Sequence, residues 1–593
     1  MTAGLEAGGV PIRIGSRGSA LALIQAHWVA NRLAEAGVPS EIVLVRTAGD
    51  DRAPDTSWGE GAFVTAIEAA LLEGRIDAAV HSAKDVPTEE DPRLTIAAWT
   101  VREDPRDALV CRVRGITLAT LPQGARVGTD SPRRGAFLRS VRPDLVIHAL
   151  SGNVDTRLRK LDAGESDALV LAVAGLNRLG RADRIDEILP LDVAVPAPGQ
   201  GALALQTRAE DLRVSRALAR LDDHRSRIAV EAERAFLAET GGGCRSPIGA
   251  LGTMSEETLT LRVAAERQLA LPGGVIVLGG VVRLAGSAPS EHATELARDL
   301  AKRISEARTR ARVLVTRPAL GAGPSIAALD SAGLAAVALP TIEIRDEAPG
   351  GPLDTLIAGA AAPGSWLVAT SPNGIRVALA SMTRLGIAPT AARWAVIGRA
   401  SAALLASHGV DPFVPSRPLG ESLVAELPLV PGERILVVRG DLADPGLITD
   451  LGARGATVTE AVGYTTIEGP EDSRAALLIA LDEPIDALAF ASGSAARGLL
   501  ALAPADSLPR LRALPVVCIG PTTAGVARSL GFVTVTEAAD PSPAALVSAV
   551  AHTLAATLAP VRGDEEPAPS PPPTRSNHSP IAVAPEEPDD RQT

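Results

Sequence analysis

"PIRIGSRGSALALIQAHWVANRLAEAGVPSEIVLVRT", residues 11–47, decides how the first half of the chain folds. "PIRIGSR" reads as a strand, "ALALIQAHWVANRLAEAG" as an amphipathic helix closed by Gly37, and "EIVLVRT" as a second strand. "AFVTAIEAALLEGRID" continues as a helix and "AAVHSAKD" as a strand running out into a loop. This alternation implies a mostly parallel sheet, whose ligands bind beyond the carboxyl ends of the strands. A second α/β unit starts near 110 and runs through "ARVGTDSPRR", "DLVIHALSGNVDTRLRKLDAG" and "DALVLAVAGLNRLG". A third segment, about 228–309, reads as helix, alternating strands, helix.

Around residues 308–312 the pattern restarts and repeats itself. "VLVTRP" (313–318) returns as "ILVVRG" (435–440), "LVATSPNG" (367–374) as "LAFASGSA" (488–495), and "VIGRASAA" (396–403) as "CIGPTTAG" (518–525). Arg317 and Arg439 are 122 apart, as are Gly398 and Gly520, while Ser371 and Ser492 are 121 apart. One register argues for two similar α/β units, each with strands entering Ser/Thr/Gly turns whose backbone N–H groups can face an anion. After residue 560 the Pro- and acid-rich chain reads as disordered.

Length and composition narrow the function. A chain of 593 residues needs three to five domains, and 46% hydrophobic with 22% charged residues suits a globular protein. The net charge of −12 argues against a general nucleic-acid or membrane-surface binder, which needs a basic field. Three scattered cysteines form neither a disulfide framework nor a metal cluster, and the eight histidines lack zinc spacing. The start lacks a signal-peptide pattern, and Leu546, Val550, Leu554 and Leu558 fall on one face of a packing helix rather than a membrane span. These features predict a cytoplasmic protein.

Of 58 basic residues only Lys84, Lys160 and Lys302 are lysine. Lys84 stands beside Asp85 at a strand end, where a carboxylate can hold an N–H, shuttle a proton or steady a cation. Arg17, Arg133, Arg134, Arg157 and Arg178 each lie in a Gly/Ser/Thr-containing turn or just inside the next helix. Arginines so placed make bidentate sites for carboxylates or phosphates. Cys244 follows three glycines and precedes Arg245, which favours its thiolate and a close approach to a ligand.

"VHSAKDVPTE", "EDPRDALV", "GTDSPRRG", "SGNVDTRL", "LAVAGLNRLG", "PAPGQGALALQ" and "GGGCRSPIGA", in that order over residues 11–309, closely resemble hydroxymethylbilane synthase (porphobilinogen deaminase). The resemblance implies two periplasmic-binding-protein-like lobes, about 11–109 with 205–227 and 110–204, and a small α+β domain, 228–309. It implies a dipyrromethane cofactor in thioether linkage to Cys244 and a catalytic carboxylate at Asp85, supported by Lys84. Arg17, Arg133, Arg134, Arg157 and Arg178, with Ser19 and Ser131, would hold acetate and propionate groups. Ser151 stands where the family carries arginine, Asp155 where many relatives carry glycine, and Glu60 lies in a short loop that often bears lysine.

Residues 310–560 resemble uroporphyrinogen-III synthase through "LVTRP", "ATSPNGIR", "VVRG", "VGYTTIE", "FASGSAA" and "CIGPTTAG". That resemblance implies two α/β lobes, about 310–345 with 465–560 and 346–464, forming a clamp. Tyr464, the only tyrosine, would assist loss of the bilane's terminal hydroxyl, and Ser371, Ser492, Thr522 and Thr523 would hold carboxylates. The two resemblances together imply a bifunctional monomer, with no metal, that joins four porphobilinogens and closes the resulting hydroxymethylbilane with ring D inverted. They also imply that a bilane released without a second enzyme closes on its own to the symmetric type I ring. A small-anion sensor is the rival reading of the first half, and a non-catalytic or regulatory relative that of the second. A boundary near 309 predicts two separately folding pieces.

Overall fold

The computed structural model describes residues 10–45, 64–243, 246–317, 319–360, 364–417 and 419–560. Cys244, Glu60 with its loop, and the 561–593 tail are expectations that lie outside the described residues.

The described residues are mixed α/β and form five sheets. In the first, the strands run in the order Ser40–Leu44, Ile12–Ser16, Ala78–Ser82, Leu203–Arg208, Leu94–Trp99. Its first three strands are parallel and Leu203–Arg208 is antiparallel to both neighbours. The helix Ala20–Glu35 buries Ala26, Val29 and Leu33, one face at helical spacing, against Ile12, Ile14 and Val80. The second sheet orders Val146–His148, Arg126–Gly128, Ala168–Ala172, Asp107–Cys111 and Glu187–Ile188. Residues 100–106 and 194–202 therefore carry the chain between the two sheets.

The third sheet is built on a long antiparallel hairpin, Thr258–Leu271 with Val275–Pro289, flanked by Ile248–Ser255. The helices His224–Glu239 and Ala293–Thr309 cover one face of it.

The 122-residue repeat appears as a repeat of strand order. The fourth sheet runs Ala335–Ala338, Arg312–Thr316, Ala487–Phe490, Val516–Cys518, Val535–Glu537. The fifth runs Ile342–Asp346, Thr457–Glu468, Arg434–Gly440, Ser365–Ala369, Arg393–Val396, with a parallel bridge from Ala395 to Phe413. Strands one repeat apart follow one another in the same relative order, offset by one place because Ile342–Asp346 adds an edge strand to the fifth sheet. Because Ile342–Asp346 pairs with Tyr464 to Glu468, the crossings between these sheets fall near 340 and 469 rather than at 345 and 465.

The expected independence of the pieces on either side of 309 is not what the packing gives. Leu269, Leu271 and Val277 of the hairpin share one core with Val313, Val315 and Ala487, and with Leu546, Val550 and Leu554 of the helix Pro543–Thr557. Among the described residues no helix is long and apolar enough to cross a membrane.

Candidate active-site cleft

The strand Ala78–Ser82 ends in a single helical turn, Ala83–Asp85, that presents two charges differently. Lys84 is half-buried, whereas Asp85 is exposed. Both line a cleft of about 1540 Å³, together with Arg17, Arg134, Arg157 and Arg178. The turn is held by the segment "PGQG" (198–201). Gly199 has φ +76° and a Cβ there would stand 3.0 Å from the carbonyl carbon of Ala83. Gly201 has φ +95° and a Cβ would lie 2.3 Å from Glu103 O. Only glycine meets both the backbone angle and the close approach.

Those two glycines hold Gln200 in the cleft floor, 1% exposed. Its Nε2 donates to Pro105 O at 2.6 Å and to Asp107 Oδ1 at 3.0 Å. Its Oε1 accepts from Lys84 Nζ at 3.2 Å and from Arg134 at 3.4 Å. Asp107 is fully buried; Arg134 donates to its Oδ1 through Nε and an Nη, and Arg133 pairs with its Oδ2 at 2.8 Å. Burial alone would raise the Asp107 pKa, but the two guanidiniums outweigh it and hold the carboxyl far below its usual range. Burial, then Arg134, pushes Lys84 down to about 8.

The expected anion-holding residues fall into three groups. Arg17 and Ser19 line the cleft at the start of Ala20–Glu35, where Ser19 caps the helix by accepting from Ala22 N. Ser131 likewise caps Pro132–Val141, accepting from Arg134 N. Arg157 donates to Gly152 O and to Asp130 at 3.1 Å, and Arg178 donates to Gly201 O at 2.6 Å. Burial lowers the pKa of both, which marks them as cations in a partly dry site. Arg133 is placed elsewhere. It is 3% exposed, absent from the cleft lining, donates to Val195 O at 2.6 Å and lies over the Phe137 ring. Its neighbour Arg134 also holds Asp107 but lines the cleft, because successive helical residues point in different directions around the axis.

The site also contains residues that the motif reading passed over. Gln200 and Asp107 stand in "PAPGQGALALQ" and "EDPRDALV", and the signal for Gln200 was a glutamine fenced by two glycines. Glu233, fully buried in the helix His224–Glu239, accepts from Arg102 at 2.5 and 3.0 Å, from Gly199 N at 2.6 Å and from Gly252 N at 2.7 Å. It ties the third unit to both crossing segments. Ala250 N donates to Pro196 O at 2.9 Å, so the strand after the glycine-rich loop is seated on the segment leading to Gln200.

In the C-terminal half, Tyr464 Oη and Ser371 Oγ are 2.9 Å apart. Ser371 also caps Pro372–Arg384, accepting from Gly374 N, and the tyrosine ring rests against Gly440. Ser492 caps Gly493–Leu502 in the lobe of the fourth sheet by accepting from Ala495 N. Thr522 is exposed in the first turn of Pro521–Ser529, whereas Thr523 is 7% exposed and turned into the packing. The structure thus joins Tyr464 with Ser371, and sets Ser492 and Thr522 beside the other sheet.

Three family models match the chain. Residues 12–216 match "Porphobilinogen deaminase, dipyromethane cofactor binding domain", residues 227–306 "Porphobilinogen deaminase, C-terminal domain", and residues 324–548 "Uroporphyrinogen-III synthase HemD". The chain is 49% identical over 288 residues to porphobilinogen deaminase of Mycobacterium leprae, covering 48% of this chain and 91% of that protein. It is 52% identical over 254 residues to porphobilinogen deaminase of a Roseiflexus species, covering 42% and 84%. Among solved structures, a mutant uroporphyrinogen III synthase from Thermus thermophilus is 20% identical, covers 41% of this chain and 98% of its own, and has a TM-score of 0.32.

Proposed function

The chain belongs to the porphobilinogen deaminase family through its N-terminal half and carries a uroporphyrinogen-III synthase domain in its C-terminal half, and from that premise we propose how its residues divide the work of a bifunctional tetrapyrrole-forming enzyme. The first half joins four porphobilinogens with release of four ammonia. The second closes the linear product with ring D inverted.

One observation carries the reading of the first half: Asp85 is exposed in a cleft whose other charges are mainly cationic, Lys84, Arg17, Arg134, Arg157 and Arg178 among them. Such a cleft suits a ligand with many carboxylates and one developing positive charge. Arg17, Arg157, Arg178 and Lys84 bind acetate and propionate groups, with Ser19 and Ser131 adding hydroxyls at their helix starts. Asp85 accepts pyrrole N–H groups and steadies the cation left when ammonia departs. Arg133 serves the site by pairing with Asp107 and so setting Arg134. The residues present fit a polycarboxylate dipyrromethane, and Cys244 is the residue that would hold it through a thioether. Bound there, the dipyrromethane supplies the pyrrole carbon to which the first substrate is joined.

In the second half, two lobes built on the fourth and fifth sheets form a clamp on the bilane. Tyr464, paired with Ser371, assists loss of its terminal hydroxyl, while Ser492 and Thr522 offer hydroxyls and backbone N–H groups to carboxylates. The protein works as a cytosolic monomer, which fractionation and sedimentation velocity test. The reading as a whole is tested by intact-protein mass and by product. The purified protein is heavier than its sequence by one dipyrromethane, Cys244→Ser removes both the added mass and turnover, and porphobilinogen alone yields type III ring. An unmodified chain that still consumes porphobilinogen overturns the role of Cys244.

A further inference from the structure

The long hairpin of the third sheet is divided by an irregularity between Glu266 and Gln268. On one side, Leu259, Leu261, Val263, Ala265, Val282 and Leu284 pack under the helices His224–Glu239 and Ala293–Thr309. On the other, Leu269 (0% exposed), Leu271 and Val277 pack into the fourth sheet's core with Val313, Val315, Ala487, Ala489 and Val517. Those residues alternate along their strands with Leu314, Leu488 and Val516, which face the opposite core. The hairpin therefore covers part of one face of the fourth sheet, alongside the helices Ala319–Ser331 and Pro543–Thr557.

At the dividing point stands Arg267, 2% exposed. It donates through Nε to Ala307 O at 2.7 Å, and its two Nη atoms meet Asp486 Oδ1 and Oδ2 at 2.6 and 2.7 Å. Asp486 Oδ2 also accepts from Arg312 N at 2.8 Å. A buried, bidentate pair with every carboxylate oxygen engaged fixes one relative position and is costly to break from either side. The fourth sheet's half of the chain returns to the hairpin at its end too, where Ala559 and Pro560 pair with Leu278 and Val277. Between the helix ending at Thr309 and the strand beginning at Arg312 stand only Arg310 and Ala311, and Ala311 is fully buried. There is no linker to let the two parts swing.

We propose that the outer half of the hairpin, residues 267–280, is a built docking surface whose partner is the chain's own fourth sheet, so that the third unit and the first synthase lobe move as one rigid body. The synthase then rides on the unit whose glycine-rich loop carries Cys244, and not on either cleft-forming sheet. The docking stands on packing and does not rest on either activity.

The test uses the full chain with a protease-cleavable segment inserted after the exposed Thr309. After cleavage, the two pieces are expected to co-elute on native size exclusion and to part only in denaturant. The same cleavable chain with Leu269→Asp should fall apart on cleavage. Wild-type pieces that separate, or Leu269→Asp pieces that stay together, overturn the proposal. Hydrogen exchange on the uncut chain guards against an insertion that does not fold. Arg267→Ala should lower protection at residues 313–315 and 487–489 on the order of a hundredfold, from the cost of stranding Asp486, and leave residues 78–82 unchanged. A loss confined to residues 259–265 overturns the shared body.

Discussion

Lys84 Nζ donates to Gln200 Oε1 at 3.2 Å, across the join between the first sheet and the segment that returns to it from the second. Gln200 in turn reaches Asp107 and Arg134, so the Lys84 ammonium is positioned by a neutral side chain rather than by a carboxylate. Burial first and Arg134 second bring the Lys84 pKa down to about 8, against the opposing pull of Asp85 and Asp107. The ammonium is present below that value and lost as pH rises through it. KM for porphobilinogen should therefore climb above about pH 8. Gln200→Leu removes an acceptor of the charged form and should move that rise to lower pH, with roughly a tenfold loss in kcat/KM from the partners left unmatched. Gln200→Glu adds a negative neighbour and should move it to higher pH. Lys84→Arg should abolish the rise, because a guanidinium stays charged. Profiles that do not move in these opposite directions remove Lys84 as the titrating group.

Asp85 offers a second, sharper test. Its carboxylate is exposed in the cleft, so Asp85→Asn keeps the shape and packing and deletes only charge. Loss of one preorganised contact to a developing cation costs about 3–4 kcal/mol, on the order of 10²–10³ in kcat, with KM little changed. Single-turnover rates measure it. A KM effect with kcat intact would make Asp85 a binding residue only.

Glu233 tests what holds the cleft rather than what it does. It accepts from Arg102 and from the backbone of Gly199 and Gly252 with no solvent contact. Glu233→Ala strands a nearly buried guanidinium and two N–H groups, and should cost about 3–5 kcal/mol in denaturant unfolding. A loss under about 1 kcal/mol, the size of an ordinary hydrogen bond, would mean that water replaces the carboxylate.

The sequence carried different parts of this protein with different clarity. Apolar periodicity and capping residues at Ser19, Ser131, Ser371 and Ser492 mark strand-to-helix turns directly, because each needs a hydroxyl at one fixed position. The 122-residue spacing points to two similar units, since elements and connections of matching length carry the motifs to corresponding strands of the two sheets. Arg133 and Arg134 were indistinguishable as a pair of adjacent cations. Both pair with Asp107, which lies well upstream on another strand, and it is the Val195 carbonyl and the Phe137 ring that turn Arg133 away from the cleft. The shared core was not legible at all. Leu269, Leu271 and Val277 read as ordinary strand residues, and nothing local says that the sheet they help cover lies beyond residue 309.

Tyr464 allows the two halves to be tested separately in one chain. Its hydroxyl is 2.9 Å from Ser371 Oγ, which already accepts from Gly374 N, and either hydroxyl can be the donor. Tyr464→Phe removes the phenolic group and keeps the ring against Gly440 and the cap on Pro372–Arg384, so stability should change by only about 1 kcal/mol. Nothing in the first half is touched, and porphobilinogen consumption should stay at the wild-type rate. If the hydroxyl assists loss of the bilane's terminal hydroxyl, ring closure slows in the second half while the uncatalysed closure continues. The product ratio should then shift from type III toward type I, in part rather than wholly, because the lobes still fold the bilane. Ser371→Ala removes the cap as well, costs about 1 kcal/mol, and should shift the ratio in the same direction through a freed Tyr464. The measurement is the isomer ratio from intact protein and porphobilinogen alone. Type III product in unchanged proportion from both variants would remove Tyr464 from the chemistry, and pure type I from the unaltered chain would mean that the second half does not close the ring.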